Sequence, residues 1–108
     1  MDLYKHPLFQ DRLEGATRVA VDILKDTHPG FRWNLNPDGS VSITRGHSKT
    51  VIRNEFEHNN NKVFSGFTLT RCVLRDGHWA IKNQETLSNT DPNTIHKMVN
   101  KAVQEVFV

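Results

Sequence analysis

In FRWNLNPDGSVSITR, residues 31–45, apolar side chains recur at every second position: Phe31, Trp33 and Leu35, then Val41 and Ile43. Arg32, Asn34, Ser42 and Thr44 fall between them. A period of two is the signature of a strand with one face buried and one wet. The intervening NPDG, residues 36–39, is a turn with a mechanism, because Pro37 presets φ and Gly39 accepts a left-handed conformation. The stretch therefore predicts an antiparallel hairpin, and the residues on either side must be fitted to a sheet.

Upstream the period is that of a helix. From about Pro7 to Asp26, apolar residues at Leu8 or Phe9, Leu13, Ala16, Ala20, Ile23 and Leu24 make one stripe. Pro7 suits an early helical position, and Pro29 with Gly30 stops the helix. Downstream, GHSK (46–49) is a second turn and TVIRNEFEH (50–58) a third strand, with Ile52 and Phe56 inward. NNN (59–61) turns the chain into KVFSGFTLTRCVL (62–74), a long fourth strand in which Ser65 and Gly66 mark a bulge. RDGH (75–78) is a tight Asp-Gly turn. HWAIK (78–82) is then the fifth strand, with Trp79 and Ile81 predicted to face inward.

The remainder closes as a second helix. Asp91 is a good N-cap, Pro92 fits the first helical position, and Ile95, Met98, Val99, Ala102 and Val106 form its stripe. The apolar tail Val106, Phe107 and Val108 is expected to bury against the sheet, with pairing to a second copy as the alternative. The pattern predicts an α+β fold: an N-terminal helix, a five-stranded antiparallel meander and a C-terminal helix. Both helices lie on one face of the sheet, since each needs an apolar surface to cover. At 108 residues the chain is read as a single domain over residues 1–108.

Composition narrows the function classes. Apolar content of 36% and charged content of 24% are ordinary for a soluble globular protein. No stretch approaches the roughly 18–20 apolar residues of a membrane span, and MDLYKHPLFQD lacks the apolar run of a secretory signal. The single cysteine, Cys72, excludes an internal disulfide, so a cytoplasmic location without membrane contact is expected. Net charge is +2, unevenly spread: residues 27–84 carry eight basic and four acidic residues, while each flanking segment is −1. A basic middle suits an anionic partner without requiring one.

Catalytic patterns are weaker. Asp38 after Pro37, followed by Glu55 and Glu57 two residues apart, has the outline of a metal-dependent nuclease of the restriction-endonuclease type. However, Asp38 precedes a glycine in a turn that favours Asp for backbone reasons, and no lysine lies two residues beyond Glu55. The six histidines show no metal-ligand spacing, and Cys72 sits in an apolar strand with no helix N-terminus to activate it. No glycine-rich loop opens a helix, and no cofactor is expected.

The open sheet face is what remains. It is expected to be polar and mildly basic, carrying Arg32, Asn34, Thr44, Arg53, Glu55, Thr70, His78 and Lys82, with Arg45 and Lys49 at its edge. It is expected to lack the aromatic rings on which sheet-type readers stack bases. The sequence thus points to a small non-enzymatic binding protein of adaptor or inhibitor type, such as phages direct at host machinery. It would meet a protein partner through Arg32, Asn34, Thr44, Arg45, Lys49, Arg53, Thr70 and Lys82. A nucleic-acid binder using the same face is the alternative, and the nuclease through Asp38, Glu55 and Glu57 ranks below it.

Overall fold

A computed structural model describes residues 13–58, 62–88 and 91–108, with the side chains of His58 and Lys62 excepted. Helix α1 runs Gly15–Thr27, followed by strands β1 (Asn34–Leu35), β2 (Val41–Arg45), β3 (Ser48–His58), β4 (Lys62–Arg75) and β5 (His78–Leu87), then helix α2 (Pro92–Glu105). The five strands form one antiparallel sheet in sequence order. Both helices pack on one of its faces and against each other, so the expected α+β architecture stands.

Facing residues in paired strands share a side of the sheet. On the helix side, Leu35, Val41, Ile52 and Leu69 stand in one row, and Asn54, Phe67 and Leu87 in another. The helices contribute Ala16, Ala20, Val21, Leu24, Ile95, Val99 and Val103 to the same core. Phe67 is fully buried at its centre. At the chain's end Val106 is buried and Phe107 stacks on the His28 ring at 3.6 Å, while Val108 is exposed. The tail therefore packs on the domain, as expected, up to its last residue.

Turn chemistry is followed closely. The Gly39 N–H bonds the Asn36 carbonyl at 2.9 Å in the first hairpin. At the last hairpin Asp76 (φ 51°) and Gly77 (φ 79°) both take positive φ, the two-residue turn whose twist matches the strands it joins. The predicted bulge at Ser65 and Gly66 is present: Glu55 faces Gly66 and Phe56 faces Phe64, leaving Ser65 over. At the second helix the Asp91 side chain accepts the Thr94 N–H at 3.1 Å, with Pro92 at the first position.

Three expectations need correction. The first helix does not run unbroken from Pro7 to Asp26: Glu14 is extended (φ −148°) and α1 starts at Gly15, while residues 7–12 lie outside the described ones. Instead of a local cap, α1 is capped by Asn54 of β3. Its Oδ1 accepts the N–H groups of Ala16 and Thr17 at 2.9 and 3.3 Å, and its Nδ2 donates to the Glu14 carbonyl at 2.7 Å. These are helix-start amides with no partner inside the helix.

The fifth strand is also twice its expected length, continuing through the polar Asn83, Gln84 and Glu85 to Leu87. These residues are poor strand formers, and pairing with β4 overrides propensity. The third correction concerns direction. Asn83 faces Arg71 but Ile81 faces Cys72, so Lys82 has no residue opposite it. This one-residue bulge reverses the alternation. Trp79 and Ile81 therefore turn to the open face, 38% and 63% exposed, rather than into the core.

Candidate functional site

The open face is built row by row from the register. One row is Asn34, Ser42, Val51, Thr70 and Gln84. The next, toward the β2–β3 and β4–β5 turns, is Thr44, Lys49, Cys72 and Ile81, and beyond it Leu74 faces Trp79. On the other side lie Arg53, Thr68 and Thr86. Of the eight residues expected to bind a partner, Asn34, Thr44, Lys49, Arg53 and Thr70 thus share this face. Arg32 is exposed just before β1. Lys82 occupies the bulge. Arg45, facing Ser48, belongs to the helix side, where its guanidinium lies 5.7 Å from the Phe107 ring centre. His78 faces Arg75 and also leaves the open face.

The two ends of this face differ. At the β3–β4 end, charge is compensated internally. Arg53 Nη2 lies 3.0 Å from Glu55 Oε1, and the Thr68 hydroxyl donates to the same oxygen at 2.8 Å. That hydroxyl, desolvation working against it, and then Arg53 hold the Glu55 carboxyl below its ordinary value. Glu57 and Val63 face each other beyond them, both exposed.

At the opposite end an apolar patch replaces the polar surface. Leu74, Trp79 and Ile81 lie over Cys72, which is a buried free thiol although it faces away from the helices. The Lys49 ammonium lies over the Trp79 ring, 4.5 Å from its centre. A cation at that distance is drawn to the negative ring face. The expectation of a face without aromatics is therefore wrong at this end. The signal that could have shown it is the run Cys72-Val73-Leu74, apolar on both parities, where strict alternation allows only one buried face.

The candidate nuclease residues are placed separately. Asp38 lines a cleft of about 230 Å³ with Glu14, Pro37, Gly39, Arg53, Asn54 and Phe56, but neither Glu55 nor Glu57 lines it. The Ser40 hydroxyl and N–H both donate to Asp38 Oδ1, at 2.6 and 2.9 Å, and lower its pKa, the hydroxyl most. This is the turn role of an aspartate. Among the described residues no three His, Cys, Asp or Glu gather as metal ligands. A second groove of about 80 Å³ lies between α2 and the β4–β5 pair on the helix side, with Leu69, Met98 and Ala102 below the Arg71–Glu105 ion pair of 3.4 Å. Among the described residues no helix is long and apolar enough to cross a membrane.

No family model, curated protein or solved structure matches this chain.

Proposed function

We propose that the chain is a non-enzymatic binding protein that docks the open face of its sheet onto a protein partner. The observation that carries this is the exposure of Trp79 and Ile81, side by side on an edge strand and on the face that neither described helix covers. A tryptophan of this kind supplies a large contact area at little rotamer cost and is the residue type that dominates protein interfaces. Thr44, Thr70 and, farther across the sheet, Asn34 supply hydrogen-bonding groups on the same face. The buried free thiol of Cys72 suits a reducing compartment, and the cytoplasm is the proposed setting.

The test is affinity capture from lysate of the native host, read by mass spectrometry, with wild type beside Trp79→Ala/Ile81→Ser. Proteins held by wild type and lost from the double variant, at unchanged circular dichroism, support the reading. A captured set indifferent to the substitutions sinks it. The second reading, nucleic-acid binding, draws on the Lys49–Trp79 pair, since bases stack on such rings beside cations. Generic DNA or RNA bound with a steep salt dependence, lost in Trp79→Ala, would favour it over a protein partner.

A further inference from the structure

The turn end of the open face carries a second feature beside its apolar patch. Both hairpin turns there, β2–β3 and β4–β5, lie together, joined by the Leu74 N–H to the His47 carbonyl at 2.9 Å. Between them, residues 44–49 and 72–82 hold Lys49 on the open face and Lys82 at its bulge, with Arg45 and Arg75 on the helix side of the same turns, against one acid, Asp76. Among the described residues none of these four cations makes an ion pair. Arg45 and Lys49 rest on the rings of Phe107 and Trp79 instead. At the far end of the same face, by contrast, Arg53 is satisfied by Glu55. Among the described residues, this end of the face thus sets unpaired cations beside the exposed Trp79 and Ile81, whereas at the far end the exposed Val63 faces Glu57.

We infer that this end is a docking site for an acidic protein segment, one whose carboxylates flank an apolar side chain. The inference rests on the protein-docking reading above and names the partner's chemistry. The apolar residue of the partner covers Ile81 and the free part of the Trp79 ring. Its carboxylates meet Lys49 and Lys82, which border that ring and strand. Lys49 is already held over the indole, so less side-chain freedom is lost when a carboxylate arrives. The unpaired cations also steer an acidic partner toward this end rather than toward Glu55 and Glu57.

The experiment is selection of short random peptides from a display library on the immobilised full chain. Three proteins are compared: wild type, Trp79→Ala and Lys49→Glu/Lys82→Glu, each checked for an unchanged amide NMR fold pattern. Wild type is expected to enrich peptides with Asp or Glu beside an apolar residue. Trp79→Ala is expected to lose them. The double reversal is expected to weaken a selected acidic peptide by about tenfold and to enrich Lys or Arg in its place. Apolar peptides without acidic bias, lost in Trp79→Ala, overturn the acidic partner and leave the docking reading intact. Peptides indifferent to all three substitutions overturn both. Oligothymidylate that displaces the selected peptides and binds more tightly than they do overturns the acidic partner in favour of a nucleic acid.

Discussion

Asn54 shows how much a single side chain can fix in this protein. It points from the sheet into the first turn of α1 and makes the contacts that a local Ser or Asp cap would make. Asn54→Ala leaves the Ala16 and Thr17 amides without their acceptor and is expected to cost about 1–2 kcal/mol, read as a lower urea midpoint. Asp38 and Glu55 act differently, through charge. Hydrogen bonds from Ser40 and Thr68 hold both below their ordinary values of 3.8 and 4.5. A carboxylate depressed in the folded state stabilises above its unfolded pKa and loses that contribution as pH falls through its lower folded value. Thermal stability should therefore fall on acidification below about pH 4.5, and Asp38→Asn/Glu55→Gln should flatten that decline in melting curves.

Elements are held to one another at points of close approach. At Gly66 an added Cβ would overlap the Leu87 carbonyl oxygen and lie 2.9 Å from the Ser88 Cα. Gly66→Ala is therefore expected to prise the end of β5 from β4, with faster amide exchange over residues 84–88 while the core of β3 stays protected. The strands themselves were largely legible from alternation, because Val41 and Ile43, Ile52, and Phe67 and Leu69 recur between polar residues and all face the helices. The helix stripes were legible for the same reason, as Ile95, Val99 and Ala102 show. The start of α1 was not, since its cap comes from a residue far along the chain. Nor was the second half of β5, where polar residues form strand only because β4 is there to pair with them. The direction of Trp79 and Ile81 was hidden for a related reason. A bulge is set by the pairing of two strands, and Lys82 by itself gives no sign of it.

At the scale of the molecule, the sheet has one face covered by the described helices and, among the described residues, a long free edge at β5. Free edges invite pairing with other chains, and a bulge bearing a lysine is a common defence. Lys82→Val should thus raise self-association, seen as a concentration-dependent increase in sedimentation coefficient, with the monomer fold retained. The buried side depends on the ring at its centre: Phe67→Ala should cost about 3–5 kcal/mol, seen as a large drop in melting temperature. The bulge at Lys82 has a further consequence for how such a surface arises. Were Lys82 kept in the ladder by strict alternation, Trp79 and Ile81 would fall on the side of Asn83 and Glu85, toward the helices, and it is the bulge that sets them on the other face. In genetic terms the display of Trp79 is indifferent to the Lys82 codon, since its loss would leave Ile81 beside Asn83 in regular alternation and still on the opposite face. An extra residue can thus enter this strand without turning over the surface it displays or the core it covers.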